Sequence, residues 1–187
     1  MSGHQFADAF GLLADIAQKS RSCAFALPDS KPPQQSWTGI GFSLGETILL
    51  ASMEDIAEII NLPRCTRIPK AKSFVRGAAS VRGSIVPVVD LLAFFSLRTN
   101  RAARLQRMLV VEFGESYSGL VVDDILGMQH FPLENFEESY PYDLQDCFVP
   151  FVCGSYWRTT SDGSEEYWPV LDLHQLLADQ SLINLSL

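Results

Sequence analysis

The sequence predicts a mainly β protein of two lobes, in which one supersecondary unit is used twice. Two observations carry that prediction. The first is an internal echo: Pro87-Val88-Val89-Asp90-Leu91 returns as Pro169-Val170-Leu171-Asp172-Leu173, each followed by a short leucine- or phenylalanine-bearing segment. A second pair keeps the same order. Leu44-Gly45-Glu46 matches Phe113-Gly114-Glu115, and at the same offset Glu54-Asp55-Ile56 matches Asp123-Asp124-Ile125. Self-similarity of this kind marks a repeated structural unit. The second observation is a series of short apolar runs punctuated by turn residues, a spacing that suggests small barrels rather than a parallel sheet.

The elements follow in order. Phe6, Phe10, Leu13 and Ala17 recur at helical spacing with Asp8 and Asp15 between them, which predicts a short amphipathic helix. Lys19 and Arg21 near its end suit the helix macrodipole. Residues 26–36 hold Pro28, Pro32 and Pro33 and read as a linker. The expected organisation is therefore 1–36 as helix and linker, 37–180 as the folded body, and 181–187 as a tail. Residues 37–44 and 47–51 predict a hairpin around Gly45-Glu46. Residues 53–60 fit a strand or a helical turn. Residues 74–79 and 84–90 read as strands, with Pro87 placing the second at an edge, bulge or strand end. Residues 99–106 form a connector. Residues 108–113 and 118–122 repeat the hairpin style, and 125–131 and 148–156 are further strands. Residues 131–146, acidic and with two prolines, read as an excursion. Residues 159–166 read as a polar turn, and 172–179 as a short helix with Asp172 as N-cap.

Composition narrows the function. The chain has 187 residues, 47% hydrophobic and 19% charged, enough for a real core. No apolar run approaches the ~20 residues that span a bilayer. The N-terminus has no basic region followed by an apolar core, which argues against a secretory leader. Cys23, Cys65, Cys147 and Cys153 include no C-x-x-C pair, so buried free thiols are expected rather than a zinc site. The net charge of −8 is unevenly spread: residues 1–107 hold 13 Lys+Arg against 8 Asp+Glu, and residues 108–187 hold 1 against 14. Opposite fields can orient lobes or partners. The acidic total argues against nucleic acid as the main ligand.

No sequence pattern for catalysis stands out. The chain has no G-x-S-x-G, H-E-x-x-H, phosphate-binding loop or dinucleotide fingerprint. His4, His130 and His174 lie in settings that suit structural roles. Asp123-Asp124 could serve acid–base chemistry, yet adjacent acids on a strand face opposite ways, and their echo at Glu54-Asp55 suggests a repeated turn. Arg98, Arg101, Arg104 and Arg107 recur every three residues without interleaved aromatics, which reads as a solvated connector rather than a nucleic-acid patch. Arg82 and Glu58 are charges in apolar company. They could form a structural ion pair, or Arg82 could offer its planar fork to a partner's carboxylate.

Several of these stretches resemble the CheW family of chemotaxis coupling proteins: residues 41–60, Thr66-Arg67-Ile68-Pro69, Phe74-Val75-Arg76-Gly77, residues 81–91 and Gly119-Leu120-Val121-Val122-Asp123. The resemblance covers roughly residues 39–178. Trp37-Thr38-Gly39-Ile40-Gly41-Phe42, Gly127-Met128-Gln129-His130-Phe131-Pro132 and Pro150-Phe151-Val152 look more like the PilI-type branch, which serves type IV pilus twitching motility. The resemblance implies two SH3-like five-stranded β-barrels around a common core, with short helices. It implies a cytoplasmic adaptor without catalysis, cofactor or metal, recruited to membrane receptor arrays. Such a protein couples the tip of a methyl-accepting chemotaxis receptor to the regulatory domain of a CheA-type histidine kinase, without nucleic acid or membrane insertion. The binding residues it implies are Ile56, Glu58, Arg76, Gly77, Val81, Arg82 and Gly83. Ser80 and Asn61 depart from the commoner family forms. The alternatives are a flagellar coupling protein of the same family, a small-barrel enzyme using Asp123 or Asp124, and a nucleic-acid-binding barrel using the arginine connector.

Overall fold

The computed structural model describes Gly11, Gln18, Lys19 and residues 35–98, 102, 105–114 and 116–184. Residues 1–34 and 35–187 form separate compact units. In the first, Gly11, Gln18 and Lys19 are helical. The rest of the predicted helix and the three linker prolines lie outside the described residues.

The second unit is mainly β. Strands β1 (Ser36–Leu44) and β2 (Thr47–Ser52) form the predicted hairpin, turning at Gly45, whose φ of 62° suits glycine. Strands β6 (Arg107–Phe113) and β7 (Ser116–Val122) repeat it, and Gly114 has the same φ. The segment that fitted strand or turn contains both: a 3-10 turn at Met53–Asp55, then β3 (Ile56–Asn61). Strands β4 (Val75–Val81) and β5 (Ser84–Asp90) lead into α1 (Leu91–Phe94). In the second half, β8 (Asp124–Pro132) and β9 (Phe136–Glu137) precede β10 (Val152–Thr159), β11 (Glu165–Leu171), α2 (Leu173–Leu177) and α3 (Gln180–Ile183). The strand expected from residue 148 starts later, because Val149–Phe151 is a 3-10 turn carrying Pro150. Repeated aspartates cap the repeated helices: Ala93 N–H donates to Asp90 Oδ1 at 3.2 Å, and Gln175 N–H donates to Asp172 Oδ1 at 2.9 Å.

The repeats exchange hairpins. One sheet has the order β8-β1-β2-β11-β10-β9, the other β3-β6-β7-β5-β4. Position by position, β8, β1, β2, β11 and β10 play the parts of β3, β6, β7, β5 and β4. Each sheet thus takes its central hairpin from the opposite half of the chain. Each exchanged hairpin pairs antiparallel with one strand of the other half, β1 with β8 and β6 with β3. It pairs parallel with another, Leu50 of β2 with Val170 of β11 and Gly119 of β7 with Val88 of β5.

Each sheet also curls. Strands β8 and β9 stand at opposite edges, yet only Leu133–Asn135 separates them in the chain. In the other sheet β3 is one edge, and Thr66, shortly after it, bridges to Ala78 on the far edge β4. The two N–H···O bonds of that bridge are 2.8 and 2.9 Å. This wrapping gives two SH3-like lobes, each a strongly curled sheet whose edge strands are not paired with each other, so that neither is a closed barrel. The first lobe has a sixth strand because β9 is long enough to form a ladder where the second lobe has the single Thr66 bridge.

Alternation explains the near-continuous apolar runs. Along each central strand one residue faces the interior of its own lobe and the next faces a shared core. Leu50 and Val170 join Phe131, Tyr156 and Trp168 inside the first lobe, while neighbours Leu49 and Leu171 enter the shared core. Val88, Val110 and Val121 fill the second lobe, while Val89, Val111 and Val122 enter the shared core. Helices α1 and α2 add Leu91, Leu92, Leu173 and Leu176, and Leu182 of α3 is buried there too.

Pro87 lies in an interior strand and not at an edge, for a local reason. It faces Ala78, whose N–H and C=O both turn to Thr66, so its nitrogen points away from β4. Pairing with β7 begins only at Val88, so no ladder donor is missed.

Gly77 interrupts the β4–β5 register with a bulge at φ 135°, and a Cβ there would collide with the Thr66 carbonyl oxygen. Gly154 takes the same place in β10, where a Cβ would strike Glu137 and Phe136. Gly77→Ala is expected to lower unfolding free energy by about 2 kcal/mol or more, since strain and collision add. Gly114→Ala, with open space around it, is expected to cost only about 1 kcal/mol. Urea denaturation of both variants measures the difference; equal losses would show that the Thr66 segment yields freely.

Candidate functional site

The β4–β5 hairpin turns on Arg82-Gly83, with φ of 50° and 86°. Two consecutive positive φ values define a type I′ turn, for which Asn-Gly is strongly preferred. Arginine in the first position is a locally costly choice, of order 1 kcal/mol. Its side chain is 77% exposed, and its Nε stands 2.9 Å from Glu58 Oε2, which is 26% exposed. An ion pair so open to water contributes about 0–1 kcal/mol. It orients the guanidinium more than it stabilises the fold. The terminal nitrogens of Arg82 have no partner among the described residues and present the paired N–H edge that suits a carboxylate.

Below this pair is a cleft of about 170 Å³, lined by Ala57, Glu58, Val81, Arg82, Ser84, Val86, Val110 and Tyr117. Strand β3 supplies one wall and the β4–β5 hairpin the other. Val110 of β6 and Tyr117 of β7 come from the exchanged hairpin. Ile85, 81% exposed, stands beside it. The arrangement is an apolar hollow rimmed by one oriented cation and one anion.

Of the residues expected from sequence, Glu58, Val81, Arg82 and Gly83 come together here. Ile56, Arg76 and Gly77 lie elsewhere. Ile56 packs against the shared core. Arg76 donates from Nε to Asp90 Oδ2 at 2.7 Å and from Nη2 to Gln106 Oε1 at 3.2 Å, bracing the carboxylate that caps α1. It sits at the opposite end of β4 from the Arg82 turn, roughly 20 Å away at the rise of a strand. Gly77 makes room for Thr66. Tyr117 and Val110 were missed, because their place in the cleft depends on hairpin exchange, which no local pattern announces.

The repeat supplies a comparison inside the molecule. By strand register, Trp168 stands where the second lobe has Val86, and Arg158 where it has Val81. The Arg158 guanidinium lies 4.6 Å from the centre of the Trp168 ring. It donates to Glu166 Oε2 and to Gln129 Oε1, each at 3.0 Å. Large side chains fill the corresponding place in the first lobe, whereas the second lobe keeps its hollow.

The groups considered for catalysis do not converge. His130 Nδ1 is 2.9 Å from Thr38 Oγ1, and His174 Nε2 is 3.0 Å from Asp55 Oδ1. Asp123, buried, accepts the Gly45 N–H at 2.8 Å and so ties the β1–β2 turn to the second repeat. Burial pushes the thiols of Cys65, Cys147 and Cys153 upward, away from the reactive thiolate. Among the described residues there is no cluster of three or more His, Cys, Asp or Glu that could hold a metal. Of the arginine series, Arg107 donates to the Leu105 carbonyl at 3.1 Å, and Arg101 and Arg104 lie outside the described residues.

Comparison with known proteins agrees with the fold. The sequence profile of the CheW-like domain matches residues 38–181. Protein PilI of Pseudomonas aeruginosa is 37% identical over 177 residues, covering 95% of this chain and 96% of its own. Protein FrzA of Myxococcus xanthus is 31% identical over 108 residues, covering 58% of this chain and 66% of its own. The crystal structure of scaffolding protein TtCheW from Thermoanaerobacter tengcongensis superposes with a TM-score of 0.65 at 24% identity. That likeness covers 79% of this chain and 96% of that one.

The strained turn makes a stability prediction. Arg82→Asn relieves the backbone and forfeits a weak ion pair, so unfolding free energy should stay within about 1 kcal/mol of the parent or rise. Chemical denaturation decides it. A clear loss beyond that would make the Glu58–Arg82 pair a structural brace.

Proposed function

The chain belongs to the CheW-like family, and from that premise we propose a non-catalytic adaptor. It couples the tips of methyl-accepting chemotaxis receptors to the regulatory domain of a CheA-type histidine kinase. Similarity to PilI along almost the whole chain supports the branch of the pathway that controls type IV pilus twitching motility. In this reading the protein works in the cytoplasm and is recruited to receptor arrays. No helix among the described residues is long and apolar enough to cross a membrane.

The observation that carries the reading is the open cleft under Arg82, in the lobe whose counterpart is filled. An apolar hollow with a charged rim suits one face of a receptor helix. Val86, Val110 and Tyr117 would take apolar side chains, and the free edge of Arg82 would take a carboxylate. Glu58 holds that edge in place. The charged rim sets partner and register more than gross affinity. Signal passes because receptor states differ in affinity for the adaptor, and only a differential affinity can shift the kinase equilibrium.

Arg82→Glu puts two carboxylates together at the rim. Purified full-length protein carrying it should bind the receptor tip at least about tenfold more weakly, ~1.4 kcal/mol, and keep its kinase binding. Arg82→Asn should lose receptor binding too, while keeping its stability. Pull-down and titration against both partners read the outcome. Undiminished receptor binding by Arg82→Glu would remove Arg82 from the interface.

A further inference from the structure

We propose that the face of the first lobe around Pro141 is a second docking site, taking an extended, proline-containing segment of a partner that carries arginine or lysine beside its prolines. The site is separate from the Arg82 cleft.

The excursion that follows β9 is firmly built. Leu144 and Phe148 are buried in the shared core. Leu144 N–H donates to the Pro141 carbonyl at 3.1 Å and Phe148 N–H to the Gln145 carbonyl at 3.0 Å, which makes two tight turns in succession. Gln145 Nε2 donates to Thr47 Oγ1 at 3.0 Å and ties the excursion to β2. The groove is therefore formed before any partner arrives, which lowers the ordering cost of binding.

The Pro141–Leu144 turn is a ridge between two hollows. One, of about 340 Å³, lies against Ile48, Tyr167 and Pro169. The other, of about 370 Å³, lies against Tyr140, Val149 and Pro150. Tyr142 on the ridge is fully exposed, and Tyr140 and Tyr167 are also exposed. A hydrogen-bonded turn is under about 7 Å across. That is narrower than one turn of a polyproline II helix, about 9 Å, so successive proline contacts can fall on either side of it. Flat tyrosine and proline walls suit such a ligand, whose backbone asks for no strand edge.

Charge selects among extended ligands. Glu46, Asp143 and Asp146 line the hollows, and the Tyr167 hydroxyl donates to Glu165 at 3.0 Å. Arg158 is the one lysine or arginine in 108–187, and Glu166 already engages it. On the β1–β2 side the Arg98 backbone lies against Gly45, but no lysine or arginine lines either hollow. The face therefore attracts a basic segment and repels an acidic one.

Fluorescence anisotropy with the full-length protein tests this. The probe is a labelled polyproline peptide with arginines at both ends. The controls are the same peptide with glutamates for arginines, and a Gly-Ser peptide with the same arginines. Saturable binding of the first alone is expected, weakened about tenfold by Tyr142→Ala and by Asp143→Lys and unaffected by Arg82→Glu. Melting temperatures confirm that the variants fold. Absence of saturable binding, equal binding of the Gly-Ser peptide, or an affinity that neither groove variant changes would overturn the proposal. Because Arg82→Glu is scored separately, failure here is distinct from failure of the receptor-coupling reading.

Discussion

Both lobes depend on hairpins that cross between the halves of the chain. Each crossing hairpin is held on one side by an antiparallel ladder, β1 on β8 and β6 on β3, and on the other by a shorter parallel one, at Leu50–Val170 and from Gly119–Val88. Without β1–β2, the strands β8, β11 and β10 have no central pair; without β6–β7, β3 and β5 have none. The apolar residues on the outward faces of both hairpins, among them Leu49, Ala51, Leu109 and Leu120, then meet in one shared core. Neither lobe can close by itself, so cooperative unfolding of residues 35–184 is built into the topology. The buried Asp123 reinforces the exchange, since the turn it holds at Gly45 belongs to the other repeat.

Closure and function are linked through β4. At one end, Gly77 gives way to the Thr66 segment and Arg76 grips the aspartate that caps α1. At the other, the same strand ends in the tight turn that carries Arg82. The end that shapes the lobe and the end that offers a charged group share one short rigid element. The cleft floor comes from the exchanged hairpin, so the same topological feature that makes the core also completes the binding surface.

Much of this was legible in the sequence, because it is written locally. Gly45 and Gly114 announce hairpin turns, Asp172 announces a helix cap, and the repeated Pro-Val-x-Asp-Leu segments announce the duplication, which in the structure makes Asp90 a cap as well. The charges Glu58 and Arg82 stood out from their apolar neighbours. What could not be read was non-local. Local pattern gives no register between β7 and β5, so Tyr117 and Val110 passed unnoticed. Pro87 suggested an edge, bulge or strand end because its missing donor was visible; the strand is interior, and Pro87 lies next to the Gly77 bulge and just before the ladder with β7 begins. Arg76 and Gly77 were grouped with Arg82 by resemblance, while the fold sets them at the far end of the strand. The type I′ geometry that makes Arg82 unusual is a backbone fact, and only the structure supplies it.

The hairpin exchange also bears on ancestry and assembly. A single repeat of this kind would expose two strands' worth of unpaired edge where its own hairpin is missing. Two identical copies would satisfy each other by trading hairpins about a twofold axis, as swapped dimers do. The present chain has the geometry of such a dimer joined into one polypeptide. Within one polypeptide the two halves need not be alike: the first lobe has its hollow filled by Trp168 and Arg158, whereas the second keeps its hollow open. A symmetric dimer would carry two identical clefts and bind two equal partners. The present chain has the Arg82 cleft on the second lobe and a filled counterpart on the first, and with that difference a defined polarity.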